Sequence, residues 1–349
     1  MTDHEWDTLV SVVRDEVLRP LPVGFIIDSP WLPMWAGHTI LDYFTDERVF
    51  LADNLKAIEA FPQAMMLPGF WSEYGMCTEP SAFGAVSVWE ENEFPFANRV
   101  LRSPQEVQSL EKPNPRKHGL LPFVIKRLKH LQPEIEARGH KIRFAVARGP
   151  LNIASFLMGT TEFLTALKTD PEPMHKLLAM VTGFLVDWIE YQRECFPSID
   201  GVLLLDDIVG FISRRDCETF ALPYLKKVFS TDVTIKFFHN DAPCKACAPL
   251  LPQAGINLLN FGIQHTLAEM KQWTGNQIAL LGNIPPRDVL ADGTPNDVVR
   301  SVTDMLNSLE DHSRIIISCG GGMPPGVPTE NISSLISAVN ELTRKAAAS

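Results

Sequence analysis

Eight short apolar runs recur along this chain, and nearly every one is followed by a stretch with helical periodicity. The runs cover residues 23–28, 65–70, 142–149, 202–207, 235–240, 258–262, 278–283 and 315–320. They are continuous rather than alternating, as in Leu203-Leu204-Leu205 and Ile315-Ile316-Ile317. A continuous apolar strand is one covered on both faces, the condition of a parallel sheet flanked by helices. The intervening segments, among them 48–61, 121–137, 153–167, 173–194, 215–229, 244–254, 267–273, 295–309 and 329–346, space apolar residues three and four apart. Eight such repeats predict an α/β fold, a closed (β/α)8 TIM barrel. A doubly wound open sheet would want a glycine-rich phosphate turn after an early strand, and none is present. Residues 84–115 interrupt the repeat, and Ala85-Val-Ser-Val-Trp-Glu, with a period of two, predicts a small excursion after the second strand. No linker rich in Pro, Gly or Ser divides the chain, so residues 1–349 read as one barrel domain.

The charge balance narrows the ligands. There are 42 acidic and 31 basic residues, a net charge of -11, and no basic run to neutralise phosphates, which argues against nucleic acid. No apolar stretch approaches the roughly 18 residues of a membrane helix. Met1-Thr-Asp-His-Glu-Trp is polar and acidic, unlike a signal peptide. The six cysteines, at 77, 195, 217, 244, 247 and 319, are scattered, and a cytoplasmic protein with reduced thiols is expected.

In a barrel the active site forms at the C-terminal ends of the strands. Here those ends are polar: Asp28, Arg148, Asp206-Asp207, His239-Asn240-Asp241, Asn260, Asn283 and Cys319. Two adjacent carboxylates closing a core strand either cap a helix or do chemistry, so Asp206, Asp207 and the neighbouring Asn240 are candidate catalytic residues. Positions i and i+2 of an extended segment point the same way, so His239 and Asp241 can share one ion. Cys319 closes the eighth strand, and a barrel mouth is narrow enough for its side chain to join them. Nitrogen, oxygen and sulfur donors with an open fourth position suit catalytic zinc. The alternative is a histidine bonded to a carboxylate and an inert buried thiol. Cys244-Lys-Ala-Cys247 lacks a second pair to complete a structural zinc site, and reads as small residues on the first turn of a helix.

Three stretches carry a family likeness: Pro30-Trp-Leu-Pro-Met-Trp-Ala-Gly-His38, Arg148-Gly-Pro-Leu-Asn152 and Gly320-Gly-Gly-Met-Pro-Pro-Gly-Val-Pro-Thr-Glu-Asn331. From residue 22 to about 339 the chain resembles the uroporphyrinogen decarboxylase superfamily. The last stretch resembles that family's Gly-His-Gly-Ile-x-Pro-x-Thr-Pro-x-Glu-Asn motif. The departures bear on function. Arginine positions of the first signature hold Met34 and His38, the catalytic aspartate position falls on Gly75, and the C-terminal histidine on Gly321. A substrate with eight carboxylates needs cations in the cleft, and here the mouth is apolar and aromatic instead.

The same superfamily contains zinc-dependent methyltransferases that work with corrinoid proteins. The resemblance implies zinc ligands at His239, Asp241 and Cys319, with Asp241 standing where that branch has a cysteine. A carboxylate in place of a thiolate leaves a more Lewis-acidic zinc, suited to oxygen. The implied activity is transfer of a methyl group between a small molecule, methoxylated in the case of O-demethylation, and a corrinoid carried by a partner protein. Asp28, Trp31, Trp35, Arg148, Asn152 and Asn283 are the expected substrate-binding residues, with Phe70 and Trp71 adding to an aromatic wall, unless the aromatics simply fill the rim. A homodimer fits the same picture. The rival activities are decarboxylation of uroporphyrinogen or another carboxylated substrate, and tetrapyrrole or corrinoid binding without chemistry.

Overall fold

The computed structural model describes residues 1–27 and 30–345. Eight strands run parallel in one sheet: β1 Val23–Ile26, β2 Ala64–Leu67, β3 Phe144–Arg148, β4 Gly201–Leu205, β5 Ile235–Asn240, β6 Leu258–Phe261, β7 Ala279–Ile284 and β8 Ile315–Cys319. Except for β2 and β3, each pairs with its neighbour in sequence, and β8 returns to pair with β1. This is the strand order of a (β/α)8 TIM barrel, and every strand overlaps its apolar run. The interruption after β2 contains a short antiparallel hairpin, Ser87–Val88 against Phe96–Ala97.

The pleat divides each strand's side chains between two cores. Met65, Phe144, Leu203, Phe237, Leu281 and Ile316, from six different strands, pack together inside the curl. Their immediate neighbours Met66, Ala145, Leu204, Phe238, Leu280 and Ile317 pack outward against the helices. Helix Asp3–Val13 closes the floor. Its Trp6 meets Phe144 edge-on, with centroids 5.5 Å apart at 70°. Gly201 makes room for this contact, since a Cβ there would lie 2.6 Å from the Phe144 ring and 3.2 Å from Trp6.

The ring of hydrogen bonds is not closed, a departure from the closed barrel expected. Among the described residues no backbone ladder joins β2 to β3. β2 is short and is followed directly by Pro68, which has no N–H to donate. Side chains cover the free edge of β3 instead. Val146 donates its N–H to Gln192 Oε1 and accepts from Gln192 Nε2, both at 3.1 Å. Arg148 donates its backbone N–H to Glu79 Oε1, also at 3.1 Å. The edge is therefore saturated without a strand. Among the described residues no helix is long and apolar enough to cross a membrane.

Trp6→Ala removes the floor of the interior core. Truncating a buried aromatic costs about 3–5 kcal/mol, so urea unfolding of this variant should show its midpoint shifted down with little change in slope.

Candidate functional site at the barrel mouth

The alternation that sorts the core also sorts the polar strand ends. Arg148, Asp207, His239, Asn260 and Asn283 continue the inward sets of β3 to β7. Asp206, Asn240 and Cys319 continue the outward sets.

His239, at the end of β5, is 6% exposed. Its Nδ1 lies 2.8 Å from Asn260 Oδ1, and Asn260 Nδ2 donates to the Leu281 carbonyl at 2.9 Å. With the amide so oriented, Nδ1 carries the proton and donates it. Nε2 then faces two carboxylates: Asp241 Oδ2 at 3.5 Å and Asp207 Oδ1 at 4.0 Å. Asp207 Oδ1 also accepts the backbone N–H of Asp241 at 2.8 Å, which ties the two acids together. Burial works against a charged His239, but Asp241, the nearest anion, and then Asp207 outweigh it and raise the pKa to about 9. Burial would likewise push the Asp241 carboxyl up, and His239 reverses this and holds it below its usual range.

Cys319 does not complete this cluster. It belongs to the helix-side core, fully buried, and its Sγ is 3.3 Å from the Gly321 carbonyl. The position on this loop that does face Asp241 is Gly321, where an added Cβ would collide with the Asp241 carboxylate. His239 and Asp241 are thus brought together and Cys319 is held apart. Among the described residues no three His, Cys, Asp or Glu side chains already close on one point.

The sequence reading missed a second cluster, on the open side between β2 and β3. Arg148 is 7% exposed, and Glu73 and Glu79 are 4% and 2% exposed. The guanidinium is 2.8 Å from Glu73 Oε2 and 5.2 Å above the Trp71 ring. Glu79 takes the Arg148 backbone N–H; burial pushes its carboxyl up to about 7, with the Arg148 charge opposing. The available signal was two glutamates shortly after an apolar strand in a barrel with an arginine closing the next. At Gly75 a side chain has no room, since a Cβ would sit 2.9 Å from both Phe94 and Pro95 of the excursion.

The remaining candidates hold the scaffold. Asp206 is fully buried and accepts the N–H groups of Leu151 and Asn152, at 2.8 and 3.0 Å, capping helix Pro150–Met158. Asn152 donates to the Leu205 carbonyl at 3.2 Å and accepts from Ile208 N–H at 3.3 Å. Asn240 accepts the Ala242 N–H at 2.8 Å. Asn283 faces inward but donates to the His265 carbonyl at 2.6 Å and the Gly262 carbonyl at 3.3 Å. Trp31 stacks on Trp35 at 5.0 Å, and their indole N–H groups bond Val327 and Thr329, bracing the rim against the last helix, Thr329–Lys345. His38, at a signature arginine position, pairs with Asp53 at 2.9 Å. Cys244 and Cys247 are buried thiols bonded to backbone carbonyls; they lie in a turn ahead of the 3-10 helix Ala248–Ala254, not on the first turn of an α-helix as the sequence reading has it. Asp28 lies outside the described residues.

Residues 7–342 match the family model described as uroporphyrinogen decarboxylase (URO-D). The chain belongs to this family. Curated relatives agree in name: a uroporphyrinogen decarboxylase of Dichelobacter nodosus is 26% identical over 97% of this chain and 98% of its own, and one of Thermosynechococcus vestitus is 25% identical over 72% and 74%. Among solved structures, a methyltransferase from Methanosarcina mazei superposes with a TM-score of 0.81 at 17% identity, covering 96% of this chain and 98% of that one. A B12-independent methionine synthase from Shewanella sp. gives 0.58 at 11% identity, covering 94% and 99%. The protein is therefore an enzyme of the URO-D superfamily, and the two solved structures share its fold.

The buried Glu79 gives this mouth a pH signature. Its folded pKa, raised to about 7, exceeds its unfolded value of about 4.3. The folded state then binds the extra proton between these limits, so this group's contribution falls as pH rises from about 4.3 to about 7. Relative to wild type, Glu79→Gln should flatten the stability–pH profile in that window by a few kcal/mol at most, at about 1.4 kcal/mol per pK unit. Chemical denaturation at several pH values checks this, and parallel profiles would refute it.

Proposed function

We propose that this enzyme is a methyltransferase. It moves a methyl group between a small neutral or cationic substrate and a corrinoid carried by a partner protein, assisted by zinc at His239 and Asp241. The carrying observation is the charge of the mouth. Glu73 and Glu79 stand on one side, Asp207 and Asp241 on the other, and the Arg148 guanidinium between them is already paired with Glu73 at 2.8 Å. A porphyrinogen bearing eight carboxylates needs cations with free donors. Arg148 has its partner, and Gly75 leaves no carboxylate at the expected catalytic position.

The donor chemistry fits zinc. His239 Nε2 is oriented by the Asn260 bond, as a ligating imidazole needs, and Asp241 offers an anionic oxygen 3.5 Å away. Bound there, the ion supplies Lewis acidity toward a substrate oxygen, which favours O-demethylation of a methoxylated molecule. Asp241 and Asp207 hold negative charge at the mouth, and Trp71 and Leu205 belong to the interior apolar core. Docking of the corrinoid protein at this end would place the acceptor over His239.

The alternative, decarboxylation of uroporphyrinogen or another carboxylated substrate, is favoured by the near full-length 26% identity to a curated decarboxylase. Two assays separate them. Wild-type protein given cob(I)alamin and methylated donors should form methylcobalamin, read from its absorbance. His239→Ala should lose more than the roughly 10–100-fold typical of an outer-shell partner. Anaerobically prepared uroporphyrinogen should remain unchanged, and coproporphyrin formed at an enzymatic rate would overturn the methyltransferase reading.

A further inference from the structure

We propose that the ion at this mouth is held by His239, Asp241 and Asp207, a set of nitrogen and oxygen donors that excludes Cys319. The inference rests on the metal-assisted reading above and departs from the ligand set that the family likeness implies. Bonds of about 2.0–2.2 Å meeting at a tetrahedral angle hold two donors roughly 3.4 Å apart. His239 Nε2 and Asp241 Oδ2 are 3.5 Å apart. A direct charge-assisted hydrogen bond would draw them to about 2.8 Å. The pair has the spacing of donors that share an ion.

Asp207 is the next acid along the rim. Leu205 and His239 are register partners on β4 and β5, so each chain leaves its strand beside the other. Asp207 Oδ1 is 4.0 Å from Nε2, and the side chain is 40% exposed. Its bond from the Asp241 N–H positions it next to the second donor. The imidazole aimed at both acids is itself 94% buried, by its 6% exposure, and its other nitrogen is fixed by Asn260.

Cys319 is excluded by the pleat. With Ile316 inside the barrel and Ile315 and Ile317 outside, Cys319 falls on the helix side. Beyond the strand the chain turns at Gly321, where φ is +80°; this position carries no donor, and the Asp241 carboxylate occupies the space a side chain would fill there. Without a thiolate, the site is a hard one, suited to oxygen substrates.

Cobalt(II) tests this without turnover. Protein stripped with chelator and titrated with Co²⁺ should bind one ion per chain and show only weak visible bands, with no near-ultraviolet thiolate-to-cobalt charge-transfer band. Cys319→Ser should bind Co²⁺ like wild type. His239→Ala and Asp207→Asn should weaken binding at least tenfold, and Asp207→Glu should restore part of it, with thermal unfolding confirming that each variant is folded. A thiolate band that disappears in Cys319→Ser, wild-type affinity in folded Asp207→Asn, or no bound ion at all overturns the proposal. If Asp207→Asn does not fold, the wild-type spectrum and Cys319→Ser still decide. A thiolate band in a protein that transfers methyl groups sinks this ligand set and leaves the methyltransferase reading standing. The proposed binding pattern without methyl transfer does the reverse.

Discussion

A strand in a curled, close-packed sheet can offer only every second side chain to the lumen, and the rest of this molecule follows from that alternation. It separates two cores of similar composition, one inside the curl and one beneath the helices. At the strand ends it decides which polar groups meet. Asp206 and Asp207 are neighbours in sequence yet do different things. Asp206 is buried under a helix whose first N–H groups it receives. Asp207 stands at the mouth against Asp241. The same parity separates His239 from Asn240, whereas Gly321 is turned away from the Cys319 side by the loop, where its φ is +80°.

The gap between β2 and β3 is the second determinant. A parallel edge that finds no strand must still satisfy its backbone. Here Gln192 and Glu79 do so, and the need for a carboxyl at that edge brings Glu79 beneath Arg148. Glu73 then neutralises the guanidinium from the other side. The feature that opens the barrel thus also removes a free cation from the mouth and leaves that mouth acidic. On the proposed reading, this charge, set by backbone geometry, is what separates the chain from a fold-mate that must hold a polycarboxylate.

Much of this was legible in the sequence. Continuous apolar runs marked all eight strands because strands covered on both faces have no polar side to show. The polar residues at or near the ends of most runs marked the mouth, and His239 and Asp241 stayed together because one lies in β5 and the other directly follows it. Less legible were features set by contacts far apart in sequence. Glu73 lies in a loop and Glu79 in the short helix Thr78–Ala82, and their partner is some 70 residues on. The orientation of Cys319 depends on strand parity counted from Ile315, and a polar strand end alone does not report it. The missing β2–β3 ladder depends on a proline one residue beyond a four-residue strand, a local detail that strand counting overlooks.

The central claim is that the inward-facing groups of β4 and β5 build an oxygen- and nitrogen-lined ion site in an acidic mouth. Zinc K-edge X-ray absorption on the reconstituted protein measures this directly. The account predicts a first shell of nitrogen and oxygen scatterers only, at about 2.0–2.2 Å, with an outer imidazole pattern from one histidine. A sulfur shell at about 2.3 Å would contradict it.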